Sequence, residues 1–247
     1  MIVYGRNPVQ EALRGRRAHS VSEVWATASA AQEHWLAGVG VRVSSAEEIE
    51  RRCGSSAHQG ICADAGGYPY VGADELLAVD SPLIVALDQV QDPQNLGSIC
   101  RTAECAGATG IVIAERRSAE VTPAVCKASA GAVEHMRIAR VRNVADFLAD
   151  AGRAGCWSYG ASAPKSPDRS HAGQATVAYT VPDYGGGVVL VLGSEGSGLR
   201  PRVASACDRL VSLPMRGRIE SLGVAAAASA LLYGILQDRK RSLDKAP

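Results

Sequence analysis

Three short runs of apolar residues most constrain how this chain of 247 residues can fold. They span residues 83–87, 110–114 and 188–192, and a shorter run follows at 210–213. The three longer runs are apolar throughout instead of alternating apolar and polar side chains. That pattern indicates strands buried on both faces, as in a parallel sheet covered by helices. Because such sheets bind ligands beyond the carboxyl ends of their strands, we expect the functional residues directly after residues 87, 192 and 213.

The first 65 residues predict a smaller α/β unit. Helices are predicted from Asn7-Pro8 to Gly15, over 30–37, and after the capping residue Ser45. Strands are predicted over 21–26, 41–44 and 60–65. A stretch rich in glycine, proline and tyrosine follows at 66–72, with a second turn signal at 80–82. We therefore predict an N-terminal domain over 1–66, a linker over 67–82 and a C-terminal domain over 83–247.

Composition excludes several classes of protein. Hydrophobic residues make up 47% of the chain, charged residues 21%, and the net charge is +1, which argues against a disordered polyelectrolyte or a strongly basic coat protein. No apolar run is long enough to span a membrane, and the N-terminus lacks the order of a signal peptide, so we predict a cytoplasmic protein without membrane partners.

The cysteine and arginine patterns are uninformative about chemistry. The seven cysteines include no Cys-x-x-Cys pair and no histidine at zinc-finger spacing, which favours reduced structural thiols and no metal. Because the net charge is near zero, nucleic-acid binding would depend on local patches. Arginine clusters such as those at 14–17, 137–142 and 239–241 are each interpreted, taken alone, as solvated surface.

The junction after residue 87 contains two candidate polar residues. Asn95 is predicted to begin a helix that ends at Gly107, and Arg101 lies further along it, among small and apolar neighbours. Taken alone, each has an ordinary structural explanation, as a helix cap and a surface arginine.

The other two junctions are a glycine-rich loop and a basic loop. Residues 193–198 read Gly-Ser-Glu-Gly-Ser-Gly, whose glycines allow a ligand to approach backbone amides. The spacing is neither the dinucleotide fingerprint nor a phosphate-binding P-loop. Residues 214–223 form an extended basic loop that leads into an alanine-rich helix.

Taken together and in this order, the three junctions resemble the three motifs of the SpoU/TrmH family of RNA ribose 2′-O-methyltransferases. The opening residues 4–13 and the segment 58–63 resemble the N-terminal domain of the subgroup that methylates a guanosine ribose in 23S ribosomal RNA. The resemblance implies a knotted parallel α/β domain of the SPOUT class, which dimerises through its trefoil knot and binds S-adenosylmethionine. It also implies an N-terminal RNA-binding domain similar to small ribosomal proteins, in which His58 belongs to a turn and not to a catalytic site.

The resemblance also implies a role for each matching residue. Arg101 would hold the phosphate beside the target ribose and stabilise the forming alkoxide. It would not act as the base, because a guanidinium keeps its proton near neutral pH. Asn95 would hold Arg101 or the ribose, Glu195 would orient both, and Ser221 would contact the cofactor carboxylate or this network. The cofactor-binding residues would be Gly193, Gly196, Leu213, Met215 and Leu222, and the RNA-binding residues would be Arg6, Arg216 and Arg218.

The third motif departs from the family pattern at two positions. The family reads Ser-Leu-Asn-Val-Ser where this chain has Ser221-Leu222-Gly223-Val224-Ala225. The amide expected at residue 223 and the hydroxyl expected at residue 225 are both absent. Loss of one hydrogen-bond donor to a transition state typically lowers a rate by roughly 10²–10³. Because Asn95, Arg101, Glu195 and Ser221 remain, we favour an active enzyme.

Three alternatives stay open. The scaffold could serve a non-catalytic RNA-binding or ribosome-assembly factor. It could also be a family methyltransferase that acts on transfer RNA or confers antibiotic resistance. A nucleotide-dependent oxidoreductase has little support without the dinucleotide fingerprint. The segment 162–170, rich in proline and serine, is predicted to be an exposed loop, with a lid over the site as the alternative.

Overall fold

Two β-sheets organise the chain, one in each predicted domain. The computed structural model describes residues 1–163 and 175–243, so most of the loop predicted at 162–170 lies outside the described residues. The strands are β1 (Ile2–Tyr4), β2 (Glu23–Ala26), β3 (Val41–Val43), β4 (Ile61–Asp64), β5 (Leu83–Asp88), β6 (Gly110–Ala114), β7 (Ile138–Val141), β8 (Cys156–Ala161), β9 (Thr176–Ala178), β10 (Gly187–Gly193) and β11 (Arg209–Ser212). The α-helices are α1 (Arg6–Ala12), α2 (Ala46–Cys53), α3 (Ala73–Leu77), α4 (Pro93–Cys105), α5 (Pro123–Ala128), α6 (Val144–Arg153), α7 (Pro201–Ala206) and α8 (Val224–Leu243).

The larger sheet confirms the predicted parallel α/β fold. Its seven strands lie in the order β7-β6-β5-β10-β8-β11-β9, and every neighbouring pair is parallel. Every residue of β5 and β6 is buried, because apolar clusters cover both faces of the sheet. All four strands predicted from apolar runs are present. The trefoil knot stays a prediction from the family resemblance.

The smaller sheet has the order β1-β4-β2-β3, with β3 parallel to β2 and the other pairs antiparallel. Ser45 caps α2 as predicted, since its hydroxyl accepts a hydrogen bond from the amide of Glu48 at 3.3 Å. His58 is buried in a turn, where its Nδ1 accepts from the amide of Gly60 at 2.9 Å. The helix predicted over 30–37 is wrong: the extended backbone of Glu33 divides it into two 3₁₀ turns, Ala30–Gln32 and His34–Leu36.

The segment predicted to be a linker contains regular structure. Helix α3 occupies part of residues 67–82, and Val71 forms a parallel bridge with Ala139 beside β7. The segment therefore packs along the edge of the larger sheet. The domain boundaries at residues 66 and 83 stay predictions.

A buried ion pair joins the first 65 residues to the larger unit. Arg17 and Glu134, both with fully buried side chains, are paired, and the Nε of Arg17 donates to Glu134 at 2.8 Å. The guanidinium also donates to the carbonyl of Gly66 at 3.3 Å and lies 5.8 Å from the ring centre of Tyr68. Burial alone would lower the pKa of Arg17, but the hydrogen bond and charge of Glu134 outweigh it and raise that pKa. The interpretation of Arg17 as solvated surface is wrong.

A second arginine assigned to the surface is also a structural contact. Arg239, near the end of α8, donates to the carbonyl oxygens of Tyr184, Ser81, Pro82 and Gly186 at 2.6–3.3 Å. These carbonyls precede β5 and β10, so the guanidinium fastens the C-terminal helix to the start of both strands.

The described residues contain no helix long and apolar enough to cross a bilayer, and the cytoplasmic location stays a prediction. All seven cysteines carry free thiols. Within 1–163 and 175–243, no cluster of three or more histidine, cysteine or acidic side chains could hold a metal ion.

Arg17→Met is expected to lower the free energy of unfolding by about 3–5 kcal/mol, because it leaves the carboxylate of Glu134 buried without its partner. Arg17→Met combined with Glu134→Leu should cost much less than the sum of the two single changes, since no buried charge remains. Urea unfolding of the three variants measures this. Arg153→Met, which removes an exposed pair with Asp150, is the control and should cost less than about 1 kcal/mol. Equal losses for Arg17→Met and Arg153→Met would contradict the interpretation.

Candidate functional site

A cleft opens where the two central strands of the larger sheet end. Strands β5 and β10 are adjacent, with Asp88 opposite Gly193, although about 100 residues of chain separate them. From β5 the chain continues to β6 and β7 on one side of this pair, and then crosses to β8 on the other side. Open parallel sheets bind ligands at the point where the strand order reverses in this way. The cleft has a volume of about 340 Å³ and is lined by Gln89, Val90, Gln91, Asp92, Asn95, Ser194, Glu195, Ser197 and Val224.

A buried carboxylate anchors one wall of this cleft. Asp88, the last residue of β5, has a fully buried side chain that accepts from the backbone amide of Arg200 at 2.9 Å and from its Nε at 2.7 Å. Arg200 lies two residues after the glycine-rich loop, so the pair fastens the end of that loop to the end of β5. Arg200 belongs to an arginine cluster at 200–202 that the sequence indicated to be solvated surface, and its contact with Asp88 corrects that interpretation. Asp88 was not predicted, although an aspartate closing an apolar strand was a visible signal.

The glycine-rich loop folds as a tight hairpin. The amide of Ser194 donates to the carbonyl of Gly198 at 3.1 Å, and the amide of Gly198 returns a bond to Ser194 at 3.0 Å. A Cβ on Gly193 would lie 2.1 Å from the carbonyl carbon of Gly198, so only glycine allows the hairpin to cross there. Gly193 is thus required by the loop's own backbone. Gly196, at φ 82° with open space around it, is exposed at the tip.

Asn95 lines the cleft but does not begin its helix. Asp92 caps α4, where its carboxylate accepts from the amide of Gln94 at 2.9 Å, and Pro93 is the first helical residue. The prediction that Asn95 is the cap is therefore wrong. Its place in the first turn of α4 puts its amide in the cleft with Glu195 and leaves it available to a ligand.

The third junction reaches the same cleft through its last residues. Val224, the first residue of α8, lines the cleft, and the Cα of Gly223 lies beside Glu195. A Cβ at residue 223 would stand 3.3 Å from a carboxylate oxygen of Glu195 and meet nothing else within 4 Å. The family's asparagine would thus contact Glu195, and its absence leaves open space there.

The remaining predicted residues of this junction lie outside the lining. Ser221 and Leu222 are exposed, while Leu213 and Met215 are half-buried along the loop. Arg216 and Arg218 are exposed on the same loop, as an RNA-contacting role requires. The third predicted RNA-binding residue, Arg6, is exposed on α1 and paired with Glu33 at 2.8 Å.

Arg101 lies in a different cavity from Asn95 and Glu195. Arg101 lies six positions after Asn95 on α4, which places their side chains about 120° apart around the helix. No hydrogen bond or ion pair joins the three residues in the described chain. Arg101 instead lines a cavity of about 400 Å³ between α1 and α4, with Asn7, Glu11, Glu104, Cys105, Ser129, Ala130, Ala132 and His135. A single copy of the chain therefore does not assemble the predicted catalytic network.

Two buried thiols are unsuited to nucleophilic catalysis. Cys100 precedes Arg101 on α4, and Cys207 follows α7. Burial raises the pKa of both thiols, that of Cys207 to about 12, so neither is a thiolate near neutral pH. The site residues offer hydrogen bonds and charge instead, which suits the orientation of a ligand and of a hydroxyl nucleophile.

Comparison with known families agrees with this geometry. The model of the SpoU rRNA methylase family matches residues 82–233, and a model described as RNA 2′-O ribose methyltransferase substrate binding matches residues 2–71. The chain belongs to the SpoU family of RNA methyltransferases. This confirms the resemblance read from the three junctions, and with it that the chain belongs to a family of enzymes.

Individual relatives cover most of the chain. A Bacillus subtilis protein described as a TrmH family tRNA/rRNA methyltransferase is 39% identical over 74% of this chain and 71% of its own length. An uncharacterised tRNA/rRNA methyltransferase of Mycolicibacterium vanbaalenii is 34% identical over 97% of this chain and 77% of its own length.

Solved structures share the fold. The SpoU methyltransferase AviRb of Streptomyces viridochromogenes, solved with AdoMet, superposes with a TM-score of 0.78 at 24% identity, over 97% of this chain and 90% of that one. An rRNA methyltransferase of Sinorhizobium meliloti superposes with a TM-score of 0.74 at 26% identity, over 96% and 86% of the two chains.

Asp88→Asn is expected to loosen the glycine-rich loop while keeping the shape of the side chain, because an amide cannot accept from both the backbone and the guanidinium of Arg200 as the carboxylate does. Amide hydrogen exchange at Ser194 and Gly198 should accelerate about tenfold or more, and the free energy of unfolding should fall by about 1.5–3 kcal/mol. Asp146→Asn is a matched control, since Asp146 pairs with the neighbouring Arg202 on the surface. Equal exchange rates in the two variants would show that the Asp88 contact does not hold the loop.

Proposed function

We propose that this enzyme transfers a methyl group from S-adenosylmethionine to the 2′-hydroxyl of a ribose in 23S ribosomal RNA, and that the target nucleotide is a guanosine. The observation that carries the proposal is the cleft between the ends of β5 and β10, where Asn95 and Glu195 meet in a chain of the SpoU family.

The cleft fits the methyl donor in size and chemistry. A volume of about 340 Å³ lies in the range of pockets for ligands the size of a nucleoside. Asp92 and Glu195 bring carboxylates that complement a cationic ligand, and Gln89, Gln91 and Asn95 bring amides that can orient its polar groups. AviRb is a relative solved with AdoMet. The predicted cofactor contacts are Gly193, Gly196, Leu213, Met215 and Leu222, with Ser221 at the cofactor carboxylate or the Asn95–Glu195 network.

Bound S-adenosylmethionine supplies an electrophilic methyl group, and the side chains of this chain do the rest by orientation and charge. Asn95 and Glu195 hold the ribose in line with the methyl carbon. Arg101 binds the phosphate beside the target ribose and stabilises the alkoxide that forms as the hydroxyl loses its proton. The proton leaves late, to solvent, because Arg101 stays protonated near neutral pH.

A second copy of the chain completes this network. Arg101 and Asn95 line different cavities of one chain, which supports a site where Arg101 of one copy reaches the cleft of its partner. Helix α8 presents an exposed face of small side chains and one ring, namely Ala226, Ala230 and Tyr233, and the exposed Leu222 precedes it. Small side chains allow close helix contact, which supports a homodimer formed through the C-terminal domain.

Ribosomal RNA is favoured as the substrate because the N-terminal unit matches the substrate-binding model of ribose 2′-O-methyltransferases. Relatives described as tRNA/rRNA methyltransferases keep transfer RNA as the second candidate. Gly223 and Ala225 favour a further candidate, a non-catalytic RNA-binding factor, since both polar groups of the family motif are missing.

The wild-type protein is expected to transfer label from methyl-labelled S-adenosylmethionine to unmethylated 23S ribosomal RNA. The label should appear in alkali-resistant dinucleotides that begin with guanosine, because 2′-O-methylation blocks alkaline cleavage. Arg101→Ala should lower the rate by roughly 10²–10³, since it removes one group that stabilises the developing charge. Arg153→Ala, a change at an exposed arginine on α6, is the control and should keep the wild-type rate.

Gly223→Asn in the same assay measures what the missing amide contributes, and the space beside Glu195 accepts the larger side chain. Label in transfer RNA alone would replace the substrate. No label in any RNA, with cofactor binding intact and Gly223→Asn also inactive, would favour the non-catalytic factor.

Mixing two inactive variants tests the shared site. Arg101→Ala and Glu195→Ala should each be inactive alone, but a subunit-exchanged one-to-one mixture should recover about a quarter of the wild-type rate, because half of the dimers are mixed and each mixed dimer has one intact site of two. Light scattering verifies the dimer, and a mixture of Arg101→Ala with Arg101→Ala/Glu195→Ala is the control that should stay inactive. A dimer whose mixture recovers no activity would show that Arg101 acts within its own chain.

A further inference from the structure

Three exposed arginines lie at the edge of the sheet beyond the cofactor cleft. Arg116 and Arg117 follow β6, and Arg142 follows β7. The two strands are parallel neighbours, and the amide of Glu115 donates to the carbonyl of Val141 at 2.9 Å, so the three arginines share one end of the sheet. We call this set the arginine ridge.

The ridge is fastened to the wall of the cleft. Two residues after Arg117, the amide of Ala119 donates to the carbonyl of Val90 at 2.8 Å, and the hydroxyl of Ser118 approaches the same oxygen at 3.4 Å. Val90 lines the cleft. A strand of RNA whose nucleotide enters the cleft therefore has the ridge at its edge.

The ridge carries positive charge that no carboxylate neutralises in the described part of the chain. The neighbouring Arg140 differs, because it pairs with Glu120 at 2.8 Å and lies over the ring of Tyr70. Arg116, Arg117 and Arg142 have no ion pair within 1–163 and 175–243. Glu115, which directly precedes Arg116, is an acidic residue in this segment that has no ion pair within the same described ranges. Three guanidinium groups against one carboxylate favour a polyanion as the ligand.

Arg117 also adopts a backbone conformation that favours glycine. Its φ is 56°, and Gln89 on the adjoining loop has φ 61°. A left-handed conformation is unfavourable for a side chain such as arginine, and residues held in it are frequent at functional sites. Glycine would stabilise this turn better than arginine does. The stability of the turn therefore does not explain the arginine at residue 117, which points to a functional role for its side chain.

We propose that the arginine ridge binds the phosphates of the RNA strand that flanks the target nucleotide, so that the strand leaves the cofactor cleft over the ends of β6 and β7. The proposal rests on the proposed function for the identity of the ligand. It adds a contact surface on the methyltransferase domain, separate from the N-terminal domain and from Arg216 and Arg218. The surface is sequence-independent, because it contacts phosphates and no base edge.

The test compares two charge-matched double variants. Arg116→Gln/Arg117→Gln removes two ridge charges. The control Arg153→Gln/Arg209→Gln removes two exposed charges at the opposite end of the sheet, one just before β8 and one at the first residue of β11. Fluorescence anisotropy gives the Kd for an rRNA fragment at several salt concentrations. The slope of log K against log salt is negative, and the ridge variant should make it shallower by about 1.4, or about 0.7 for each phosphate contact of a single strand. Arg142→Gln should make it shallower by about half as much, and the control should keep the wild-type slope.

Methyl transfer and cofactor affinity are measured on the same proteins. The ridge variant should raise KM for RNA about tenfold or more and leave both kcat at saturating RNA and the Kd of S-adenosylhomocysteine within about twofold. Arg117→Gly separates charge from folding, since it should keep or raise the melting temperature while weakening RNA binding as Arg117→Gln does.

Binding and methylation distinguish the two proposals. Equal salt slopes for the ridge and control variants, in a wild-type protein that methylates RNA, would overturn the ridge alone. A wild-type protein that binds RNA without methylating it would remove the proposed activity, and the salt slopes would still decide the ridge. A wild-type protein that binds no RNA would overturn both.

Discussion

The architecture of the candidate site depends on the buried carboxylate of Asp88. It closes the central strand β5 and takes two hydrogen bonds from Arg200, which lies 112 residues later in the chain. A buried carboxylate is costly unless its charge is compensated, so the loop between Gly193 and Arg200 must close onto β5 for the core of the sheet to be stable. The stability of the core and the position of Glu195 are thereby coupled. If the glycine-rich loop were free to open, Asp88 would be left without its partner.

A similar constraint sets the position of the N-terminal unit. Arg17 and Glu134 are both fully buried and come from different parts of the chain, and Tyr68 reinforces the contact by donating from its hydroxyl to the carbonyls of Val133 and Met136 at 3.1 and 2.6 Å. Separation of the two units would expose the charges of Arg17 and Glu134 to water. It would also break the buried contacts that these side chains and Tyr68 make. The pair therefore specifies one position of the N-terminal unit relative to the larger unit.

The sequence predicted the elements whose signals are local. The apolar runs that became β5, β6 and β10, and the cap at Ser45, depend on neighbouring residues only. The elements that it missed depend on distant ones. Strand β8 reads Cys-Trp-Ser-Tyr-Gly-Ala, and its place between β10 and β11 is decided by neighbours in the sheet and not by its own pattern. Arg17 has the same sequence signature as its exposed neighbours Arg14 and Arg16, and only Glu134, 117 residues away, makes it a core residue.

The family motifs predicted a set of site residues but not the division of these residues between two cavities. A motif on one helix suggests one site. The rotation of about 100° per residue in an α-helix nevertheless turns Arg101 away from Asn95 on α4. Two explanations were possible from spacing alone: a side chain that reaches around α4, or a second chain that presents the same helix to the first. The cavity beside Arg101 favours the second, because its lining comes from α1, α4 and residues 129–135 and shares no residue with the cleft between β5 and β10. The proposed sharing of the site between two copies would also allow the first and second junctions to fold tightly in each copy while Arg101, in the first junction, stays exposed.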